Sequence, residues 1–268
     1  MLADCGRDLG RPLEGKGVAL LFQKPSARTR NSVEMAVVQL GGHPVTIRDE
    51  EVGLGRRESV ADVARTLACY HAVIAARLAD HNDLLALAAA SEAPVLNMLS
   101  NRAHPLQALA DLMTVGQLLG RLEGVRIAFL GDANNVCRSL AEACALAGAE
   151  LRIAGPEGYG LGEAPDGVRQ FADPFEAVDG AEIVYTDVWV SMGQDEEAAA
   201  RRSAFAPYRV SEALMARSND AWFLHCLPAR RGEEVDAAVI DGPRSAVWRQ
   251  AENRMHSARA ALAWMVQS

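Results

Sequence analysis

Two hydroxyl groups and two guanidinium groups are concentrated in the short segment Ser26–Arg30. The segment follows the apolar run Val18–Phe22, which is typical of a strand buried on both faces, and it precedes a helical pattern that ends at Gly41. A helix N-terminus offers an anion free backbone N–H groups and a favourable dipole. The residue types and their placement therefore predict a phosphate-binding loop, although an ordinary basic helix start fits the same local pattern.

Three further polar side chains follow predicted strands in the first half of the chain. Arg77 comes directly after the apolar run Ala72–Ala76, and His104 and Gln107 flank the start of a helix whose first residue is Pro105. Ligands of open α/β sheets bind at the carboxyl ends of the strands. We expect Arg77, His104 and Gln107 to lie at the same sheet edge as the phosphate-binding loop, while a structural helix cap or a solvated strand end remains open for each alone.

The second half begins with a strand, loop and helix that resemble the opening of a dinucleotide-binding fold. The predicted strand is Val125–Leu130, and a loop runs from Gly131 to Asn135. The G-x-G-x-x-G pattern would need glycines where Ala133 and Val136 stand, so a nicotinamide cofactor is disfavoured. The loop instead offers the amide groups of two asparagines to a polar ligand.

An acid and a cysteine follow later strands. Asp187 comes after the predicted strand Ala181–Thr186 and suits a cationic group, although a plain strand end fits equally. Cys226 ends the next predicted strand, directly after His225. A cysteine in such a place is more often an inert core residue than a nucleophile, because only the neighbouring histidine could lower the pKa of its thiol.

Composition limits the classes of protein to which the chain can belong. It has 268 residues, 50% of them apolar and 23% charged, and its formal net charge is -8, which argues against a nucleic-acid surface. No apolar run approaches the length of a membrane span, and the first residues do not read as a signal peptide. Five cysteines without a C-x-x-C pair suit a reducing compartment. We expect a cytoplasmic α/β enzyme with no membrane or nucleic-acid partner.

Taken together, the motifs resemble those of ornithine carbamoyltransferases, in the order in which that family carries them. The resemblance runs through nearly the whole chain and rests on Phe22-Gln-Lys-Pro-Ser-Ala-Arg-Thr-Arg30, Leu40-Gly-Gly-His43, Leu54-Gly-x-x-Glu-Ser59, His104-Pro-x-Gln107, Gly131-Asp-x-Asn-Asn135, Asp187-Val-Trp-Val-Ser-Met-Gly193, His225-Cys-Leu-Pro228 and Ala251-Glu-Asn-Arg254. The first and fourth motifs are shared by carbamoyltransferases in general. The motif at Asp187 together with that at His225 is the more specific mark of ornithine as acceptor.

The resemblance implies an α/β fold of two domains, each a parallel sheet flanked by helices, with the active site in the cleft between them. It places a carbamoyl-phosphate-binding domain at residues 1–118 and an ornithine-binding domain at 119–246. Residues 247–268 would form a C-terminal helix that returns to the first domain. The family also implies a homotrimer or a higher multiple of it.

The implied reaction transfers the carbamoyl group of carbamoyl phosphate to the side-chain amine of L-ornithine and gives L-citrulline and phosphate, with no cofactor and no metal ion. The resemblance places in catalysis Arg77, His104, Asp187 and Cys226. It assigns the binding of carbamoyl phosphate to Ser26, Ala27, Arg28, Thr29, Arg77, His104, Gln107, Cys226, Leu227 and Arg254. It assigns the binding of ornithine to Asn135, Asp187, Ser191 and Met192.

The resemblance also implies how several of these residues act in the reaction. Thr29, Arg77 and His104 would donate hydrogen bonds to the carbonyl oxygen as negative charge develops on it. Arg30 would add to the phosphate contacts. Cys226 would position the reacting amine and would not become acylated.

The chain departs from the family pattern at several places. Ala27 replaces a threonine of the phosphate loop, which predicts weaker binding of carbamoyl phosphate. Gly53 stands where many bacterial members carry a glutamine that reaches a neighbouring subunit's site. Members also have a further helix before Leu13, and the segment Gly155–Gly180 is expected to be too short for the helix and strand usually found there. The last two departures predict either a trimmed scaffold with an altered core sheet or trimer edge, or a start codon assigned too late.

Three alternative functions remain. A carbamoyltransferase could act on another amine, such as an acetylated or succinylated ornithine, putrescine or lysine. The motif from Asp187 to Gly193 argues against this, because it suits a free α-amino acid head. A paralogue could bind carbamoyl phosphate without turnover, which the retention of Arg77, His104, Asp187 and Cys226 disfavours. A nucleotide-dependent oxidoreductase is the weakest alternative, because the glycines of the G-x-G-x-x-G pattern are missing.

Overall fold

The computed structural model describes residues 8–190 and 195–267. The chain divides into two compact units: the first consists of residues up to Ala110 together with those from Asn253 onward, and the second is Asp111–Glu252. The sequence-based boundaries, after residues 118 and 246, lie several residues away from these divisions, within or next to long helices. They stay a prediction.

The first unit is built on a sheet whose described strands are all parallel, in the order β2-β1-β3-β4. The strands are β1 Gly17–Phe22, β2 His43–Arg48, β3 Val73–Arg77 and β4 Val95–Leu99. The two central strands, β1 and β3, are apolar and buried along nearly their whole length, as expected of a parallel sheet covered on both faces. Phe22 pairs with Arg77, so the carboxyl ends of β1 and β3 lie side by side.

The described helices of the first unit's sequence are α1 Ala27–Gln39, α2 Asp49–Val52, α3 Val60–Ala68, α4 His81–Ala90 and α5 Pro105–Leu119, the last of which continues into the second unit. Polar side chains cap α1 and α3. The Ser26 hydroxyl accepts the N–H of Thr29 at 3.4 Å, and the Ser59 hydroxyl accepts that of Asp62 at 3.1 Å. The proline at the start of α5 lies where predicted.

Alternating side chains of β1 fill two separate cores. Val18 and Leu20 pack with residues of α1 and with apolar residues near the C-terminus, such as Leu262. Ala19 and Leu21 pack on the other face with residues of α3 and α4. The continuous apolar run in the sequence is therefore the direct consequence of helices on both faces of the sheet.

The second unit has a sheet whose described strands are likewise parallel, in the order β7-β6-β5-β8-β9. The strands are β5 Arg126–Leu130, β6 Glu150–Ala154, β7 Val168–Phe171, β8 Ile183–Thr186 and β9 Trp222–His225. Strand β7 corrects the sequence analysis, which expected Gly155–Gly180 to be too short for a strand. Its two central residues, Arg169 and Gln170, are exposed at the sheet edge, so no apolar run reveals it.

The remaining described helices are α6 Asn135–Ala147, α7 Pro174–Val178, α8 Ala198–Phe205, α9 Glu212–Met215, α10 Ala237–Ile240 and α11 Val247–Gln267. Helix α7 begins after Asp173, whose carboxylate caps it, so residues 155–180 hold a short helix as well as strand β7. Residues of α11 from Asn253 onward belong to the first unit. Of the helices described, none has the length and apolar character needed to span a membrane.

In both sheets the strand order reverses beside the first strand of the sheet, between β1 and β3 and between β5 and β8. Loops that leave such neighbouring strands diverge to opposite faces and leave a crevice at the carboxyl edge. Ser26 and Arg77 follow or end β1 and β3, and Asn134 and Asp187 follow β5 and β8. Both sets of predicted functional residues therefore lie where open α/β sheets bind ligands.

Candidate active site

In the first unit, the N-terminus of α1 is joined to the end of β3 by hydrogen bonds. The backbone N–H of Gln23 donates to the Arg77 carbonyl at 3.0 Å. Nη1 of Arg77 donates to Oγ1 of Thr29 at 3.2 Å, and the Ser26 hydroxyl lies 3.1 Å from the same oxygen. Thr29 and Arg77 are both buried. The structure thus brings together the loop and the strand end that the sequence places far apart.

The same region concentrates positive charge. Burial lowers the pKa of Arg77, and the neighbouring Arg28 guanidinium lowers it further. Burial, with added repulsion from Arg254 and Arg77, holds the pKa of His104 well below its usual value, so the imidazole is neutral. These side chains form what we call the phosphate cluster: Ser26, Arg28, Thr29, Arg77, His104 and Arg254.

No carboxylate in the described part of the chain forms an ion pair with Arg28 or Arg77. Nε of Arg77 is buried and has no hydrogen-bond partner among those residues. A buried positive charge beside a second positive charge, as Arg77 is beside the exposed Arg28, is costly unless a negative group compensates it. The phosphate cluster is therefore arranged for an anion that carries more than one negative charge, at a helix N-terminus that favours it.

The remaining predicted residues of the first unit have different surroundings. Ala27 begins α1 and is exposed, and Gln107 is buried in the first turn of α5, where its N–H donates to the His104 carbonyl. Arg30 differs from expectation, because Nε of its exposed side chain donates to Glu34 at 2.8 Å. Gly53 closes α2 with a left-handed φ of 65°, a conformation that favours glycine over the glutamine that the sequence resemblance leads us to expect there.

In the second unit, the carboxylate of Asp187 accepts hydrogen bonds at both oxygens. Oδ1 accepts the N–H of Val188 at 2.8 Å and the thiol of Cys226 at 3.0 Å. Oδ2 accepts the side-chain amide of Asn134 at 2.8 Å. We call Asn134, Asp187, Val188 and Cys226 the carboxylate network. Its geometry fixes the Asp187 side chain and the Cys226 thiol relative to each other.

Asn134 contacts Asp187, although the sequence analysis assigned ornithine binding to its neighbour Asn135. Its Oδ1 caps α6 by accepting the N–H groups of Val136 at 2.9 Å and Cys137 at 3.3 Å, while its Nδ2 is directed to Asp187. Asn135, which was selected, is the first residue of α6. The one signal in the sequence was the pair of asparagines, and it could not show which of them contacts the acid.

Cys226 is a hydrogen-bond donor within the carboxylate network, which agrees with a positioning role. The His225 ring does not contact it as a base. Nδ1 of His225 accepts the N–H of Leu227 at 2.9 Å, and Nε2 lies 3.1 Å from the Glu234 carboxylate. Leu227 has a φ of 59° and precedes a cis peptide bond to Pro228.

Donor atoms of Asp187, His225 and Cys226 lie within 4.8 Å of one another, close enough to be considered for a metal ion. Both ring nitrogens of His225 are already used in hydrogen bonds within the protein. A metal ion could recruit the histidine only by breaking one of those bonds. The arrangement is that of a hydrogen-bond network.

The segment after Asp187 is anchored by Arg201 of α8. Nε of Arg201 donates to the Trp189 carbonyl at 2.6 Å, and Nη2 pairs with the Asp132 carboxylate. Its guanidinium also lies 4.9 Å from the centre of the Tyr159 ring. Burial raises the pKa of Asp132, and Arg201 opposes that rise. The predicted ornithine-binding residues Ser191 and Met192 lie outside the described residues.

Comparison with known proteins places both units in one family. Residues 3–117 match the model of the carbamoyl-P binding domain of aspartate/ornithine carbamoyltransferases, and residues 123–265 match that of the Asp/Orn binding domain. The ornithine carbamoyltransferase of Parafrankia sp. (strain EAN1pec) is 47% identical over 269 residues, which cover 96% of this chain and 85% of that protein.

Solved structures agree with the sequence comparison. The ornithine carbamoyltransferase of Pyrococcus furiosus superposes with a TM-score of 0.90 at 45% identity, over 95% of this chain and 85% of that one. An N-acetyl-L-ornithine transcarbamylase superposes with a TM-score of 0.88 at 29% identity, over 98% of this chain and 94% of that one. Two matched domain models, the shared fold and the high identity lead to one conclusion: the chain belongs to the aspartate/ornithine carbamoyltransferase family.

Proposed function

We propose that this protein transfers the carbamoyl group of carbamoyl phosphate to the side-chain amine of L-ornithine and releases L-citrulline and phosphate. The observation that carries the proposal is the phosphate cluster, in which the buried Arg77, whose Nε has no hydrogen-bond partner among the described residues, lies with Arg28 and Thr29 at a helix N-terminus. Curated ornithine carbamoyltransferases that are 44–48% identical over most of the chain support the same reaction. The proposed reaction would make the protein an enzyme of arginine and citrulline metabolism.

Carbamoyl phosphate would bind with its phosphate at the N-terminus of α1. Backbone N–H groups of the first turn, including that of Ala27, and the Ser26 hydroxyl suit phosphate oxygens. Arg28 and Arg254 would add charge-assisted hydrogen bonds, which are stronger than neutral ones. Binding of the dianion would relieve the repulsion among the guanidiniums. This relief of repulsion would add to the free energy of binding.

The carbamoyl group would lie beside Thr29, Arg77 and His104. When the amine attacks the carbonyl carbon, negative charge develops on the carbonyl oxygen, and preorganised donors stabilise it. His104 would donate as a neutral imidazole, because its low pKa keeps it uncharged. The buried Gln107 is our candidate for the contact with the carbamoyl NH2 group. The bond between the carbamoyl carbon and the phosphate oxygen then breaks, and phosphate leaves as the acceptor of the proton that the amine nitrogen gives up.

Ornithine would bind to the second unit through its amino-acid head. Asp187 is suited to the α-ammonium group because both its oxygens are oriented by hydrogen bonds before the ligand arrives. We assign the α-carboxylate to Asn135 with Ser191 and Met192. The thiol of Cys226 and the backbone carbonyl of Leu227 would line the path of the reacting amine. Orientation of two bound reactants is worth up to roughly 7–11 kcal/mol in favourable cases.

The deciding experiment measures citrulline formation by the purified chain from carbamoyl phosphate and L-ornithine. N-acetyl-L-ornithine, putrescine and L-lysine serve as competing acceptors in parallel assays. We expect turnover with L-ornithine alone. Turnover with another amine would reassign the acceptor, and binding of carbamoyl phosphate without turnover of any amine would indicate a non-catalytic paralogue.

Two further expectations concern the assembly of the protein and its location in the cell. We propose that the chain assembles as a homotrimer or a multiple of one, which light scattering of the purified protein would test. We also propose a cytoplasmic location, since the chain carries free thiols at Cys69, Cys137, Cys144 and Cys226. Fractionation of the source cells would check it.

A further inference from the structure

The side chain of His225 ties the end of β9 to the segment that follows it. The backbone N–H of Leu227 donates to Nδ1 at 2.9 Å, and Nε2 lies 3.1 Å from Oε1 of Glu234. Because Nδ1 accepts a hydrogen bond, the ring proton is on Nε2, which donates to Glu234. His225 is therefore a neutral ring held in one tautomer and one orientation, inside the second unit, where both it and Glu234 are buried.

The residue that receives this support has an unfavourable backbone conformation. Leu227 has a φ of 59°, in the left-handed region that L-residues with a Cβ rarely adopt. Such a conformation persists only where surrounding contacts impose it. The hydrogen bond from its N–H to His225 is one such contact, and it fixes the peptide between Cys226 and Leu227.

Glu234 is anchored on its other side as well. The oxygen that faces His225 also accepts the N–H of Arg230, and the Glu234 carbonyl accepts the N–H of Val210 at 2.9 Å. The carboxylate thus connects the His225 ring to the turn that follows Pro228. Movement of the ring would break hydrogen bonds at both of its nitrogens.

A second buried pair supports the backbone of His225. Oε1 of Gln250 accepts the N–H of His225 at 2.9 Å, and Nε2 of Gln250 donates to the Asp111 carboxylate at 2.7 Å. Gln250 and Asp111 are fully buried. The residue before Cys226 is therefore fixed at its backbone by Gln250 and at its side chain by Glu234.

We propose that His225, oriented by Glu234, is a positioning residue for carbamoyl transfer. It acts through the backbone of Leu227: the hydrogen bond to Nδ1 keeps the Leu227 carbonyl and the Cys226 thiol in the geometry in which that thiol donates to Asp187. His225 touches no substrate and transfers no proton. The proposal rests on the function proposed above.

Two amide variants separate the bonds that His225 makes. In His225→Asn the amide oxygen can take the place of Nδ1 and accept the Leu227 N–H, while the contact with Glu234 is lost. In His225→Gln the longer side chain can reach Glu234 but offers no acceptor at the position of Nδ1. We expect His225→Gln to lower kcat by about 10²-fold, the usual cost of a misplacement of about 1 Å. His225→Asn should lose no more than about tenfold, the equivalent of one hydrogen bond.

Glu234 provides a conservative pair and its neighbour a matched control. Glu234→Gln retains an oxygen acceptor for the ring and should keep more of kcat than Glu234→Leu, which retains none. Glu233→Leu removes the adjacent acid, whose ion pairs with Arg202 and Arg230 are partly exposed, and should leave kcat unchanged. Binding of inorganic phosphate, measured by calorimetry, should be the same in all variants, because the phosphate cluster lies in the first unit.

The outcomes distinguish the two proposals. If the unmodified protein makes no citrulline, the proposed function fails and the positioning role fails with it. If the unmodified protein is active but His225→Asn and His225→Gln lose kcat equally, the hydrogen bond to Leu227 is not what matters and the positioning role alone is overturned. Losses of kcat that merely follow the melting temperatures of the variants would also overturn it.

Discussion

The binding residues of the first unit include three arginines whose positive charges act on one another or on His104, whereas those of the second unit form a closed set of hydrogen bonds around one carboxylate. In the phosphate cluster, Arg28 lowers the pKa of Arg77, and Arg77 and Arg254 lower that of His104. In the carboxylate network, both oxygens of Asp187 already have protein donors.

The difference follows from the charge of the ligand that each set is proposed to bind. A dianionic phosphate brings the compensating charge with it, so no carboxylate of the described residues has to pair with Arg28 or Arg77 before the ligand arrives. An amino-acid head carries both charges and little net charge, so its binding depends on the orientation of dipoles and one carboxylate. The first site is therefore expected to be sensitive to the removal of charge, and the second to the loss of orientation.

The largest effect that tests this comparison is expected from Arg77→Ala. Removal of a buried donor to the developing oxyanion should lower kcat by about 10²–10³-fold. The melting temperature should not fall in proportion, because the substitution also removes a buried charge that Arg28 repels. Arg30→Ala is the matched control: Arg30 is exposed and pairs with Glu34, so we expect kcat to stay within about threefold of the unmodified value. Equal losses in both variants would contradict the assignment of the phosphate cluster.

Substitution of Asn134 tests orientation in the second site. Asn134→Ala removes both the contact with Asp187 and the cap of α6, while Asn134→Ser can retain the cap. Both variants should lower kcat/KM for ornithine by about tenfold, which corresponds to one charge-assisted hydrogen bond. Only the alanine variant should lose about 1 kcal/mol of unfolding free energy. If kcat/KM falls only in the variant that is destabilised, Asn134 has no role beyond the cap.

The pH dependence of stability should report the repulsion in the first site. The pKa of His104 is well below its usual value in the folded protein, so between that pKa and about 6.5 only the unfolded chain takes up the proton. The free energy of unfolding should therefore fall as pH falls below about 6.5, by at most about 1.4 kcal/mol per pH unit from this group.

Denaturant unfolding at several pH values, with His104→Asn beside the unmodified chain, measures this contribution. The variant should show a shallower fall, and inorganic phosphate should reduce the fall in the unmodified protein because it compensates the charge of a protonated His104. If the free energy of unfolding has the same pH dependence in the two proteins, protonation of His104 in the unfolded chain does not contribute to the loss of stability.

The smallest effect is expected from Ala27→Thr, which introduces the hydroxyl that the sequence resemblance leads us to expect in the phosphate loop. Ala27 is exposed at the first position of α1, so the new side chain can be accommodated there. An additional hydrogen bond to phosphate should lower the KM for carbamoyl phosphate by about threefold and leave kcat unchanged. An unchanged KM would mean that the backbone N–H groups and arginines already complete the contacts.

Features that depend on neighbouring residues could be predicted from the sequence. The strand and helix around Ser26, the caps at Ser26 and Ser59 and the proline at the start of α5 all follow from propensities and hydrogen bonds that span a few residues. The ordered motifs identified the family, and with it a set of site residues, because their spacing reflects the same fold. That a carboxylate, an asparagine pair and a cysteine each end or follow a strand was also visible in the sequence.

Features that depend on partners far apart in the chain required the tertiary structure. The contact of Asn134 with Asp187 joins residues 53 apart, and that of Gln250 with Asp111 joins residues 139 apart. No local pattern could show that Arg30 turns to Glu34 while Arg77 reaches Thr29, or that His225 supports Leu227 instead of activating Cys226. The edge strand β7 was missed because pairing with β6 stabilises it and its own side chains form no apolar run. Hydrogen-bond partners and pKa shifts arise from folding, and the linear order of residues records them only indirectly.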